Sequence, residues 1–451
     1  MRNLSKSLFV TVGLIAASAT CVHAEQLLDR VAINSAADLN AVALLELPDR
    51  KLLNVYSQPT SSSVSLILET ITVLINGTTT ATTEVYNLPG IVAAAVDSKG
   101  RGIVVGTTSA GSNGTDFRIA RILPDGSFDS SFGNSGRVAV DLSTQNDYAA
   151  AVALDKDDNI VVVGTATLSA TDTDFAVVRL SASNGSVLSA VLIPFDLAPS
   201  QRLDQASAVN VTNDGRILVG GVAYDGAINK FRIALARLTP TGSIDSTFCN
   251  PSCNFQGAYT GINSGRRIYF FGASDAHSDQ LYGMGSIGNG DFYVVGTSSP
   301  ADGSGPKASI AKISSAGNYL TERIGTVGGG ALGEPKVYRA VKSADGLGTR
   351  LLLSGDAGNG LLYVQAFTSS LAPVSGYGNC LESNSGLCFS SSAFGDVGPD
   401  TAGPINLDRT GRPLFTGSFI QSSGDVRGVL RAIITNDSGP RPDLIFRNGF
   451  Q

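Results

Sequence analysis

A short apolar run ending in glycine returns six times along the chain: IVVG to Gly106, VVVG to Gly164, ILVG to Gly220, YVVG to Gly296, LLLSG to Gly355 and PLFTG to Gly417. The steps between these glycines are 58, 56, 76, 59 and 62 residues. A weaker copy, LLNVYS, lies ahead of them at Leu52 to Ser57. Such runs are too short for buried helices and are bounded by turn residues, so they read as buried strands. The turn before each run recurs too, as Asp97-Ser98-Lys99-Gly100, Asp155 to Asp158, Asn213-Asp214-Gly215, Gly288-Asn289-Gly290, Asp345-Gly346 and Asp408 to Gly411. A small unit that repeats at this period cannot bury its own apolar face and must stack on its neighbours.

The stretch from Thr115 to Asp141, TDFRIARILPDGSFDSSFGNSGRVAVD, shows what the unit contains. Phe117, Ile119 and Arg121 alternate with Arg118, Ala120 and Ile122, the period-2 pattern of a strand. Pro124-Asp125-Gly126 supplies turn chemistry, Gly133 and Gly136 bracket a second turn, and Arg137 to Asp141 resumes as a short strand. Val92–Val96 and Gly102–Gly106 form a further pair upstream. Four short strands repeated about seven times point to an all-β chain, a β-propeller of seven four-stranded blades, with six or eight also compatible. The last unit, near Ala402 to Asn436, shows only three strands, while Gln26 to Asn34 stands unassigned at the start. The N-terminal segment is therefore expected to supply the missing strand and close the ring, because closure removes exposed sheet edges.

The segments TDFRIARILPDGSFDSSFGNSGRVAVD, TDFAVVRLSASNGSV and FRIALARLTPTGSIDSTF resemble the delta-60 repeat family. The shared marks are Asp116-Phe117 and Asp174-Phe175, the Ala-Arg ends at Arg121 and Arg237, and the Asp-x-x-Phe turns at Asp129 to Phe132 and Asp245 to Phe248. The resemblance covers residues 91 to 280 and fades beyond them. It implies a bacterial β-propeller and export, and it implies no particular reaction.

Residues 1–24 have the build of a secretory signal. Arg2 and Lys6 give a positive start, Leu8 to Ala17 an apolar core, and Val22-His23-Ala24 a cleavage site ahead of Glu25. The core is too short to span a bilayer. Removing it lowers the formal charge from −6 to −8, with 30 basic against 38 acidic residues. No basic stripe exists, which argues against nucleic acid and anionic membranes as partners. Residues 25–436 are then the propeller and 437–451 a linker and short tail. The expected location is the periplasm, cell surface or medium.

Candidate site residues are few. Arg121, Arg179, Arg237 and Arg431 end the third strands, with Lys312 and Gln365 at the same place elsewhere. A residue repeated in every unit is expected to be structural, pairing with a repeated carboxylate such as Asp129 or Asp245. Asp155, Asp157 and Asn159 offer alternate oxygens, as calcium loops do, but Ile160 and Ala166 stand where such a loop needs glycine and an acid. This is a weak calcium candidate, and no other cofactor is expected. Export favours disulfides among Cys249, Cys253, Cys380 and Cys388, with Cys249–Cys253 and Cys380–Cys388 preferred of three connectivities. After cleavage His277 is the one histidine, in the polar loop Ser274 to Gln280, where a solvated role is expected. No G-x-S-x-G elbow is present, no glutamate recurs in a catalytic context, and the chain has no tryptophan. Two long inserts, 249–280 and 370–400, are the natural places for variation.

These features lead to an expectation of an exported, monomeric binding or scaffold module without intrinsic catalysis, not an enzyme. Its partner would be a cell-surface protein or polysaccharide. The alternatives are a secreted carbohydrate-active enzyme or a calcium-dependent adhesin using the funnel or the long loops.

Overall fold

The computed structural model describes residues 27–33, 40–49, 51–59, 64–73, 79–86, 88, 90–109, 114–197, 199–249, 265–272, 277–286, 290–300, 306–324, 340–343, 350–356, 361–374, 386–390, 401–407, 413–420 and 427–434. The signal segment, the C-terminal tail and most of both long inserts lie outside these residues. Among the described residues every regular element is a strand. None is a helix long and apolar enough to cross a membrane.

Strand β1 (Leu27–Ile33) precedes β2 (Asn40–Glu46), β3 (Leu52–Pro59), β4 (Val64–Val73) and β5 (Thr79–Tyr86). The next eight are β6 (Ile91–Val96), β7 (Gly102–Ser109), β8 (Thr115–Ile122), β9 (Arg137–Val140), β10 (Asp147–Leu154), β11 (Ile160–Ser169), β12 (Asp172–Leu180) and β13 (Val187–Ile193). They are followed by β14 (Arg202–Val211), β15 (Ile217–Asp225), β16 (Lys230–Leu238), β17 (Arg266–Tyr269), β18 (Ser278–Ser286), β19 (Phe292–Ser299), β20 (Lys307–Ile313) and β21 (Tyr319–Ile324). The last seven are β22 (Ala340–Ser343), β23 (Arg350–Asp356), β24 (Leu361–Thr368), β25 (Gly386–Ser390), β26 (Thr401–Leu407), β27 (Pro413–Ile420) and β28 (Arg427–Ile434).

These strands pair as consecutive antiparallel fours: β2 to β5, β6 to β9, β18 to β21 and β22 to β25. An eight-stranded sheet joins β10 to β13 with β14 to β17, where β12 and β14 meet in parallel over Asp172↔Arg202 and Thr173↔Leu203. Strands β26, β27 and β28 take β1 as their fourth, antiparallel, with Val31 opposite Arg431. The first strands of successive fours lie side by side, from β2 past β6, β10, β14, β18 and β22 to β26, and β26 lies beside β2. This is the layout of a β-propeller.

The apolar runs are buried on both faces, which explains why they do not alternate. Ile103, Val105, Phe117, Ile119 and Phe132 pack with Ile160, Val162, Val178 and Leu180 of the following four. Each core is thus shared by two neighbours.

The recurring glycine is required by close approach of two backbones. The first strand carries a register shift where it crosses the second, as between Ala149 and Ala151 or Leu281 and Gly283. A Cβ on Gly164 would sit 1.9 Å from the Tyr148 carbonyl oxygen, and one on Gly296 would sit 1.8 Å from that of Gln280. The register also corrects the repeat: Ala206 opposes Gly221 as Ala149 opposes Gly164, so Gly221 rather than Gly220 is the equivalent residue. Sequence spacing alone cannot rank two adjacent glycines.

Candidate functional site

Antiparallel fours give the molecule two chemically different ends. At one end lie the turns between first and second strands and between third and fourth. At the other lie the turns between second and third strands and the connections to the next four.

At the first end Arg121, Arg179 and Arg237 are paired with carboxylates, as expected. Arg121 Nε donates to Asp129 Oδ2 at 2.8 Å, and Arg237 Nε donates to Asp245 Oδ2 at 2.8 Å. The guanidinium groups also lie over Phe132 at 4.4 Å and Phe248 at 4.8 Å. Each reaches the neighbouring four: Arg121 donates to the carbonyls of Ala182 and Ser183, and Arg237 to that of Ser315. Burial opposes ionisation of Asp129 and Asp245, but hydrogen bonds from Ser131 and Thr247, with Arg121 and Arg237 beside them, hold both below the ordinary carboxylate range. The unit around Arg179 lacks an Asp-x-x-Phe turn, and Arg179 pairs instead with Asp155, Nη2 to Oδ2 at 2.9 Å.

That pairing engages the weak calcium candidate. Asp155 Oδ2 also accepts from Asn159 Nδ2 at 3.0 Å, while its Oδ1 accepts from the backbone of Asp157 and Asn159. Asp157 is exposed and paired with Lys156. The carboxylates that converge are elsewhere, at the second end.

There, one oxygen each of Asp116, Asp141 and Asp147 lie within 4.8 Å of one another, and so do those of Asp172, Asp174 and Asp196. Asp116 and Asp174 occupy the Asp-Phe start of the third strand. Asp141 and Asp196 follow the fourth strand. Asp147 opens the first strand of the next four, and Asp204 and Asp279 hold its register one and two repeats on.

Burial raises five of these acids. It lifts Asp174 to about 6, with the charges of Asp172 and Asp196 adding to it. It lifts Asp204 to about 7 against hydrogen bonds from the Phe195 and Asp196 amides, and Asp279 to about 7. Asp116 and Asp147 shift upward for the same reason. Asp116 is only partly buried, and Asp141 is exposed. The sequence carries a signal for this cluster in its spacing, not in any motif: Asp147, Asp204 and Asp279 are 57 and 75 residues apart, the steps of Gly164, Gly221 and Gly296.

His277 departs from expectation. It is partly buried at the start of β18, and its Nδ1 lies 3.0 Å from Ser298 Oγ. Cys249 is 5% exposed and holds a positive φ of 64°, where the equivalent Gly133 has 55°. Its amide donates to the Ala316 carbonyl as that of Gly133 does to Asn184. Cys253, Cys380 and the side chain of Cys388 lie outside the described residues.

Residues 100–132, 156–187 and 212–248 match the family model described as "Domain of unknown function (DUF5122) beta-propeller". This supports a β-propeller repeat family. No curated protein matches the sequence. Among solved structures, polysaccharide lyase Uly1 superposes with a TM-score of 0.50 at 11% identity, covering 97% of this chain and 94% of that one. An alpha-L-arabinanase of Penicillium chrysogenum has a TM-score of 0.46 at 10% identity, over 76% of this chain and 92% of that one. The β-propeller domain of the Trilobed protease of Pyrococcus furiosus has a TM-score of 0.43 at 8% identity, over 92% and 99%. The expectation that the chain is not an enzyme is corrected by the first of these. Its fold, over nearly the full length of both chains, is also that of a polysaccharide lyase.

Proposed function

We propose that the protein is an exported carbohydrate-active enzyme, acting on a polysaccharide at the carboxylate-bearing end of its sheets. The observation that carries this reading is the Asp116–Asp141 pair. Asp116 is partly buried with a raised pKa, and an oxygen of exposed Asp141 lies within 4.8 Å of one of its own. Two carboxyl groups about 5 Å apart suit a retaining glycosidase. Asp116, its pKa raised by burial, donates its proton to the leaving glycosidic oxygen. The Asp141 carboxylate takes the anomeric carbon. Water then releases the sugar and returns a proton to Asp116. The polysaccharide lyase supports this choice of substrate class only by sharing the fold.

The finer architecture belongs to the same proposal. The fours are seven blades of delta-60 type, and β1 closes the ring on β28. The signal is cleaved near Ala24. Cys249–Cys253 and Cys380–Cys388 form local bridges after export, and the mature chain is a monomer.

The test is product analysis of the purified protein on a panel of neutral and uronate-containing polysaccharides. New reducing ends that disappear in Asp116→Asn support the reading. Retention of full activity in that variant, or no product from any polymer, overturns it. Deleting residues 25–36 tests closure separately: the expected result is a sharply lower melting temperature, and an unchanged melting curve removes β1 from the ring.

A further inference from the structure

We propose that the junction between the β10–β13 and β14–β17 runs binds one divalent cation of the hard, oxygen-preferring class, calcium before magnesium, through Asp172, Asp174 and Asp196. It does not rest on the catalytic reading, which concerns the preceding junction.

The donor set fits. Three carboxylate oxygens lie within 4.8 Å of one another. Calcium binds oxygens at about 2.3–2.6 Å, so ligands on one ion lie at most about 5 Å apart. No sulfur or imidazole is in the set, which excludes the preferences of zinc and copper.

The site is also electrostatically incomplete. Asp174 is 5% exposed, and its Oδ1 is buried without a hydrogen bond. Asp204, behind it, is 0% exposed, and its Oδ1 is likewise buried and unbonded. Arg202 Nη2 pairs with Asp172 Oδ2 at 2.6 Å, and its Nε lies 3.7 Å from Asp196 Oδ1, from a side chain that is 45% exposed. Arg266 is near enough to favour ionised Asp174 but donates to the Pro194 carbonyl. Two guanidinium groups thus face four carboxylates, and neither bonds the Asp174 Oδ1. Such buried lone pairs are costly unless a donor or a metal takes them.

The next junction places a cation where this one has an acid, although both Asp279 oxygens remain buried without a hydrogen bond. Ala166 opposes Asp174, and the equivalent Ala223 opposes Arg232. Asp279 holds the register of Asp204. Arg232 Nη1 lies 3.9 Å from Asp279 Oδ2, both side chains at 0% exposure. There the third strand brings its own cation to the buried aspartate. One junction earlier it brings a further acid, and the cation must come from solution. The preceding junction repeats the triplet and its Asp116 Oδ1 is likewise buried and unbonded, but Asp147 is already satisfied by the Leu142 and Ser143 amides and the Ser143 hydroxyl, and the rest of Asp116 is partly open to solvent.

The experiment uses the full-length protein stripped with chelator. Calcium and magnesium are titrated by calorimetry, and melting is followed with and without calcium. One calcium site and a rise of several degrees in Tm are expected, since a ligand that binds only the folded state stabilises it. Asp174→Arg, which copies Arg232, should abolish both responses and melt in chelator no lower than the parent. Asp196→Asn, at an exposed ligand, should weaken calcium about tenfold and leave the chelator Tm unchanged. No heat and no Tm change up to about 10 mM calcium would overturn the proposal, since weak extracellular calcium sites still fill by then. Wild-type affinity in both variants would overturn it as well.

Discussion

The two ends of the sheets solve the same problem in opposite ways. At the end holding the turns between first and second strands, carboxylates of the repeat meet arginines: Asp129 with Arg121, Asp155 with Arg179, Asp245 with Arg237. At the other end, acids gather with acids: Asp116, Asp141 and Asp147, then Asp172, Asp174 and Asp196. The first arrangement lowers the pKa values of Asp129, Asp155 and Asp245, whereas at the second end burial, with neighbouring acids adding to it, raises Asp174 and Asp204. A repeat that neutralises itself at one end is a clamp between neighbours. One that leaves charge uncompensated at the other end has a chemical potential that a proton, a cation or a substrate can discharge.

The sharpest way to break the contrast is to unpair the clamp. Arg121→Ala leaves Asp129, with a side chain 9% exposed, without its hydrogen-bonded guanidinium, and removes the bonds to Ala182 and Ser183. Breaking a buried pair by removing one partner costs about 3–5 kcal/mol. Denaturant titration should show that loss, with the m-value preserved. A loss below about 1 kcal/mol would mean that Arg101, 3.6 Å from the same carboxylate, takes over the role.

Most of the clamp was legible in the sequence, and the acidic end was not. The arginines stand at the end of an alternating strand and recur with the period, and Asp129 and Asp245 lie eight residues on in a turn whose geometry is local. The N-terminal strand was legible for the same reason, since three strands at Ala402 to Asn436 lacked a fourth. Asp174 and Asp196 are far apart in the repeat, and Asp204 belongs to the next one. Their meeting depends on how the connection after β13 folds back, which no strand period encodes. The Cys249 turn lies between these cases: its equivalence to Gly133 was visible, but a positive φ at a cysteine was not, because the backbone there is held by a bond to Ala316 on the neighbouring four.

The second prediction uses pH to separate the ends. Asp174, Asp204 and Asp279 have folded pKa values of about 6, about 7 and about 7, all above the unfolded value near 4. The stability they contribute is therefore complete below pH 4 and is lost as pH rises through 6 to 7. Asp129, Asp155 and Asp245 are depressed, so their contribution is present above pH 4 and is lost only as pH falls below it. Between pH 5 and pH 7.5, in chelator, the acidic end governs alone. Unfolding free energy should fall by about 2–3 kcal/mol over that window, given about 1.4 kcal/mol per unit shift and partial relaxation of the site. A flat or rising profile would show that the acidic end is already neutralised.

The smallest effect is also the most specific. Asp204→Asn keeps the oxygen that accepts from the Phe195 amide at 2.6 Å but cannot ionise. At pH 8 the parent holds an anion at 0% exposure beside Asp174 and Asp196, and the variant holds a neutral amide. The new NH2 lacks an acceptor, which offsets part of the gain. The net result should be about 1–2 kcal/mol of stabilisation at pH 8 in chelator, shrinking toward zero or reversing at pH 5, where the parent is protonated. The same exchange at the clamp, Asp129→Asn, should destabilise at both pH values, because there the charge is the partner that Arg121 requires. Opposite signs for one chemical change, 75 residues apart in one repeat protein, would establish that the two ends differ in their electrostatics and not merely in their packing.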